Sequence, residues 1–239
     1  MPPEAVDGKA VVVVDTLRAT TTMAAMLANQ AEAVLPIADL REARRLKAEL
    51  GDVLLAGERS NRPPPDFDGG NSPLEYPGER VAGRRIILTT TNGTHAIERC
   101  RLSRALSAGA LVNAAAVARW LGTVGRDAVI VLAGQEGELA LEDWLAGGAI
   151  VERAQGFRRS DAAEAARLAY CARRDDLLAA LRDCEHGHQL WQQGMQADLV
   201  FASREDSLNI VPVRSSEPGG DETPGRNRGQ DREAWFRRA

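Results

Sequence analysis

The chain has 239 residues, 44% hydrophobic and 27% charged, with a formal net charge of -4; this suits a globular protein of one large or two small domains and, lacking a concentrated basic segment, argues against nucleic acid as a partner. No apolar run exceeds strand length, so no membrane-spanning helix is expected, and the opening MPPEAVDGK lacks the apolar core of a signal peptide. Cys100, Cys171 and Cys184 are too widely spaced for a disulfide framework or a zinc site, which predicts a cytoplasmic protein with reduced thiols.

In chain order, residues 11–14 (VVVV) read as a buried strand ending at Asp15. A helical pattern then starts near Ala19 and runs through Met23, Met26 and Leu27. A short strand at 33–37 and a helix at 39–50 with Asp39 as N-cap follow, and then a strand at 52–56. Residues 59–77 lack periodicity but carry Phe67, Leu74 and Tyr76, so an ordered, packed segment is expected. Strands are predicted at 85–88, 106–111, 128–133 and 210–213, and helices at 95–100, 114–123, 141–153, 160–173 and 175–184. The alternation predicts an α/β fold: a single three-layer α/β/α domain with a largely parallel or mixed sheet over residues 1–213. Residues 214–239, rich in Gly, Pro, Arg and acids, read as a disordered polar tail.

Two strand ends carry similar chemistry. DTLRATTT places Asp15, Arg18 and the hydroxyls of Thr20, Thr21 and Thr22 where a strand hands over to a helix. Ligands of open α/β sheets bind beyond strand carboxyl ends, and a helix N-terminus there favours an anion. TTTNGT repeats the arrangement with Thr90, Thr91, Asn92, Gly93 and Thr94, and its Asn-Gly pair suits positive φ and an anion-binding nest. Taken alone, DTLRATTT is equally well explained as a strand end and a capped helix, and TTTNGT is better explained as a turn and an N-cap. Side by side in a sheet they would make one phosphate-sized pocket. Carboxylates at Asp15, Glu58, Asp68, Glu75, Glu136, Glu142 and Asp143 lie at strand ends or in the long segment, and oxygen donors of this kind suit Mg²⁺. Glu142 and Asp143 also read simply as complements to a helix dipole. His186 and His188, in CEHGHQ, lack a nearby third ligand for zinc.

The segments VVVVDTLRATTT, GERSNRPPPDFDGGNSPLEY, RIILTTTNGT, EDWLAGG and GHQLWQQGMQADLVFASREDSLNIVPV resemble the 2-phosphosulfolactate phosphatase (ComB-like) family over about residues 11–213. The resemblance implies a Mg²⁺-dependent acid phosphatase that hydrolyses (R)-2-phospho-3-sulfolactate to 3-sulfolactate and phosphate, a step towards coenzyme M.

On that reading Asp15 is a metal ligand or the nucleophile. Glu58 and Asp68 join Asp15 as metal candidates, and Arg18, Glu142 and Asp143 serve the chemistry. Thr20–Thr22, Thr90–Thr94, Asn71 and Ser72 contact the anionic substrate. Haloacid-dehalogenase phosphatases carry a second Asp two residues after the first, where Leu17 stands here, so their aspartyl-phosphate route is not transferred. The rival reading is a non-catalytic binding protein for a phosphorylated or sulfonated small acid. A homo-oligomer is compatible with the sequence but not specified by it.

Overall fold

The computed structural model describes residues 3–215 and 234–239. β1 (Ala10–Val14) leads into α1 (Ala19–Ala28), β2 (Ala33–Pro36), α2 (Leu40–Leu50) and β3 (Val53–Gly57). After the long irregular segment come the single turn α3 (Gly78–Val81), β4 (Arg85–Thr89), α4 (Gly93–Arg99), β5 (Ala105–Gly109), α5 (Ala114–Val124) and β6 (Ala128–Leu132). A run of helices follows: α6 (Leu141–Arg153), α7 (Asp161–Arg173), α8 (Leu177–Asp183), α9 (Glu185–Gln192) and α10 (Gln196–Ala202). The described chain ends in β7 (Pro212–Ser215) and β8 (Trp235–Arg238).

The eight strands form one sheet in the order β3-β4-β2-β8-β7-β5-β1-β6. β3, β4 and β2 pair in parallel, as do β5, β1 and β6. Between these halves β8 and β7 pair antiparallel with each other and with β2 and β5. Three successive antiparallel pairings make the two parallel halves run in opposite senses. The sheet is therefore mixed, with helices on both sides.

The valine run of β1 is continuous because both of its faces are covered. Val11 and Val13 join a cluster with Met23, Met26 and Leu27 of α1, Val34 of β2, and Ile86 and Leu88 of β4. Ala10, Val12 and Val14 turn to α5 and α6, against Val117, Leu121 and Ile150. A third cluster seats Ala43 and Leu46 of α2 on Leu35, Leu55 and Ile87. Strands from both halves share the apolar cluster around α1.

Two expectations need correction. Residues 234–239, read above as disordered tail, supply β8, a central strand whose Trp235 and Phe236 are buried. Residues 216–233, the rest of that expected tail, lie outside the described residues. The stretch 185–202, left without predicted elements, forms α9 and α10. The expected order of the long segment holds. Tyr76 is buried and its hydroxyl donates to the Gly70 carbonyl at 2.5 Å, while Gly57 N–H donates to the Gly69 carbonyl at 3.1 Å. Among the described residues no helix is long and apolar enough to cross a membrane.

Candidate active site

A cavity of about 390 Å³ opens where the ends of β1, β3, β4 and β6 meet α9. Asp15, Arg18, Glu58, Asn71, Thr90, Thr91 and Asn92 line it, together with Arg59, Asn61, Gln135, Glu136, His186, Gln189 and Gln193. The two threonine-rich turns do converge. Gly93 packs against Asp15 so closely that a Cβ there would lie 2.6 Å from Oδ2.

Asp15 caps its own helix: its Oδ1 accepts from Ala19 N–H at 3.0 Å and its carbonyl from Thr20 N–H at 3.0 Å. The anion position at the head of α1 is thus filled by the Asp15 carboxylate, not left free for substrate. Burial pushes the Asp15 pKa up to about 6; Ala19 N–H and His186 oppose the rise, and Glu142 and Glu58 add to it. Glu58, buried at the end of β3, is fixed by three donors: Asn61 N–H to Oε2, and Thr91 N–H and hydroxyl to Oε1, each at 2.9 Å. These bonds tie the 59–62 turn to the end of β4.

The threonines of α1 do not face the cavity. Thr20 donates to the Gly109 carbonyl at 2.7 Å, Thr21 to Thr16 at 2.7 Å and Thr22 to Asn71 at 2.8 Å. Their hydroxyls let α1 start inside an apolar environment by satisfying buried carbonyls. At the second turn Thr94 donates to the Thr90 carbonyl at 2.7 Å, and Thr90 accepts from Thr94 N–H at 3.2 Å, so Thr94 holds the turn. The expected positive-φ nest is absent: Asn92 has φ -113°, and Gly93 is needed for close approach to Asp15.

Asp68 does not line the cavity. Its Oδ2 accepts from Lys47 Nζ of α2 at 2.8 Å and from Leu55 N–H of β3 at 2.7 Å. Asp143 is buried beneath the cavity, where it accepts from Thr16 N–H at 2.7 Å and Gly134 N–H at 3.0 Å, clamping the ends of β1 and β6 together. Burial, reinforced by Asp15 and Glu142, raises its pKa well above the ordinary aspartate value. Glu142 is buried too, behind His186, with Oε1 3.6 Å from Nδ1. Burial would lift Glu142, but contacts with His186, its own backbone and the Cys184 thiol outweigh it and hold its pKa low.

Arg18 reaches the cavity with its charge already matched: Nη1 donates to Asp198 Oδ2 at 2.6 Å, and both side chains are buried. Ser72 donates to the other oxygen of Asp198 at 2.5 Å. Ser72 lines a neighbouring cavity of about 290 Å³ shared by Arg18, Asn61 and Asn71, so it meets the main cavity only through that wall. Asn71 is different: its Oδ1 is buried without a hydrogen-bond partner.

Of the lining residues that sequence reasoning passed over, three have contacts that matter most here. Arg59 donates to the carbonyls of Glu58 and Ala38 at 2.6 and 2.8 Å, and among the described residues no carboxylate lies within ion-pair distance of it. It makes no ion pair among the described residues; burial lowers its pKa, and the nearby charges of Glu58 and Asp39 only partly offset that. Asn61, at φ +66°, accepts from Arg18 Nη2 through its carbonyl at 3.2 Å and touches His186 Nε2 through Oδ1 at 3.3 Å. His186 is carried in by α9, whose Gly187 lets the helix pack on α8: a Cβ there would lie 1.7 Å from the Leu181 carbonyl. The basic-plus-Asn composition of GERSNR was the available signal for the first two; His186 had none beyond its HGH setting.

An open α/β sheet with a polar cavity at its strand ends, an unpaired arginine and buried carboxylates defines a protein built to handle a small anion. Residues 1–217 match the family described as 2-phosphosulpholactate phosphatase. The chain belongs to that family, whose name denotes hydrolysis of a phosphate monoester. Among its relatives, a protein of Symbiobacterium thermophilum is 40% identical over 218 residues, covering 89% of this chain and 94% of its own. A relative from Caldanaerobacter subterraneus is 38% identical, covering 85% and 87%, and one from Thermotoga petrophila is 37% identical, covering 89% and 92%. Each carries the name probable 2-phosphosulfolactate phosphatase.

Proposed function

We propose that this protein is a Mg²⁺-dependent phosphatase that hydrolyses (R)-2-phospho-3-sulfolactate, or a closely related small phosphorylated acid. The observation that carries the reading is Arg59, a cation with no ion-pair partner among the described residues, lining the same cavity as the buried carboxylate of Asp15. A phosphate group supplies the missing negative charge for the arginine. It also brings charge towards carboxylates that only a cation can make tolerable.

The donor set fits Mg²⁺. Among the described residues no three His, Cys, Asp or Glu side chains converge on one point, but Mg²⁺ is commonly held by one or two carboxylates with water and substrate oxygens completing its shell. Asp15 and Glu58 are the hard oxygen ligands on offer, both buried at the floor of strand-end turns that line the cavity. When bound, the ion offsets charge on the phosphoryl oxygens during displacement.

The chain's own residues do the rest. Arg59 binds a phosphoryl oxygen by charge-assisted hydrogen bonds. Asn71 Oδ1, buried and unpartnered, accepts from a substrate hydroxyl or an ordered water. Arg18, already neutralised by Asp198, offers directional N–H groups to a second acidic group without adding net charge. Asp15 stands at the phosphorus, as ligand or as nucleophile.

The test is phosphate release from 2-phosphosulfolactate with Mg²⁺ and with chelator. Turnover that requires the metal is expected. Micromolar binding of the substrate without turnover would replace this reading with that of a binding protein.

A further inference from the structure

We propose that His186 is the acid that protonates the departing ester oxygen, and that Glu142 is its positioning residue. This rests on the phosphatase reading above.

The geometry is that of an imidazole held from behind and open in front. His186 lines the cavity, and its Nδ1 lies 3.6 Å from Glu142 Oε1. Glu142 is 3% exposed and does not reach the cavity itself. A carboxylate placed so fixes the orientation of the ring and favours a proton on Nδ1. The other nitrogen, Nε2, stands 3.3 Å from Asn61 Oδ1 on the cavity wall, a contact that substrate can replace. The gap to Glu142 is longer than a hydrogen bond, and such pairs commonly tighten when substrate is bound.

The reaction needs such a group. The ester oxygen of a secondary alcohol leaves as a strongly basic alkoxide unless it is protonated as the bond breaks. The carboxyl groups around the cavity are placed otherwise: Glu58 is fixed by three donors and Asp143 by two backbone N–H groups, Asp15 has the role of ligand or nucleophile given above, and Glu136 is exposed. His95 and His188 lie on the surface, leaving His186 as the imidazole in the cavity.

The step balances as follows. The attacking oxygen forms a new P–O bond as the P–O ester bond breaks, and the bonding pair passes to the ester oxygen. That oxygen takes the proton from Nε2, leaving a neutral alcohol and a neutral imidazole. The proton shed by the attacking water returns to the imidazole through solvent.

The test compares two phosphate monoesters under saturating Mg²⁺. Glycerol 2-phosphate leaves as a secondary alkoxide and needs the proton. 4-Nitrophenyl phosphate leaves as a weakly basic phenolate and does not. His186→Gln is expected to lower kcat about 10²–10⁴-fold on the alkyl ester and less than about 10-fold on the aryl ester. Glu142→Gln is expected to show the same selectivity with a smaller loss, and it serves alone if His186→Gln does not fold. Equal losses on both esters in a folded variant would overturn the inference and leave the phosphatase intact. A wild-type protein that hydrolyses neither these esters nor 2-phosphosulfolactate would overturn both.

Discussion

Gly93 rests on the carboxylate of Asp15, and any side chain at position 93 would have to enter the space of Oδ2 and of Ala19 Cβ, 2.6 and 2.7 Å from the added atom. Ala19 Cβ moves only with its backbone, and the Asp15 carboxylate is held through Oδ1 by Ala19 N–H, so neither gives way cheaply. Gly93→Ala is expected to destabilise the fold by about 1–3 kcal/mol and to cost more in activity than in stability, because the displaced group is the one facing substrate. Urea denaturation beside kcat on the same preparation measures the two effects.

Asp15 gives a pH dependence of definite sign. Its carboxyl titrates at about 6 in the folded chain against 3.8 for the free side chain. The native state therefore binds its proton more tightly, and its contribution to stability declines as pH rises from about 4 to about 6. Asp15→Asn removes that decline. The variant is expected to be inactive with Mg²⁺ and, with chelator present, more stable than wild type above pH 6 by up to about 3 kcal/mol, with the difference vanishing near pH 4. Thermal melts across that range check it; a difference independent of pH would refute it.

Arg59 is expected to act through binding. Arg59→Gln removes a charge-assisted contact to phosphate worth about 1.5–3 kcal/mol, so KM should rise roughly 10–100-fold with little change in thermal stability. Arg59→Lys should recover only part, since the ammonium cannot keep the fork that spans Glu58 and Ala38.

The Arg18–Asp198 pair is buried on both sides. Asp198→Ala leaves a guanidinium without its counter-ion and frees Ser72, so a loss of about 3–5 kcal/mol is expected in chemical denaturation.

β8 supplies the last prediction. Phe236 is fully buried in the cluster that also holds Val34 and Met26. Phe236→Ala is expected to cost about 3–5 kcal/mol, a loss no disordered tail could produce. Equilibrium unfolding of this single variant decides it.

What could be read in the sequence follows from how local each signal was. The run 11–14 announced a two-sided strand because every residue in it is β-branched and apolar. The paired turns could be found because strand, polar turn and helix are contiguous in each. The threonine hydroxyls of α1 misled because a hydroxyl at a strand end looks the same whether it faces a ligand or a buried carbonyl; only Gly109 and Asn71, far along the chain, decide it. Asp68 misled for a like reason, its partner being Lys47 on α2. His186 was invisible as a site residue because α9 is short and its approach depends on Gly187 meeting the end of α8. β8 was hidden because two aromatic residues in polar surroundings carry no strand period.

The pairing of Val34 with Phe236 also sets an order of events during synthesis. While the ribosome is still making the intervening chain, the edge of β2 that faces away from β4 has no partner, and an open edge of apolar strand invites pairing with other chains. The sheet closes only after residue 238 has emerged, through one of the longest-range contacts the chain can make. A nascent chain of this protein is therefore expected to depend on chaperone protection until β8 has emerged, and to aggregate when translation is interrupted before β8.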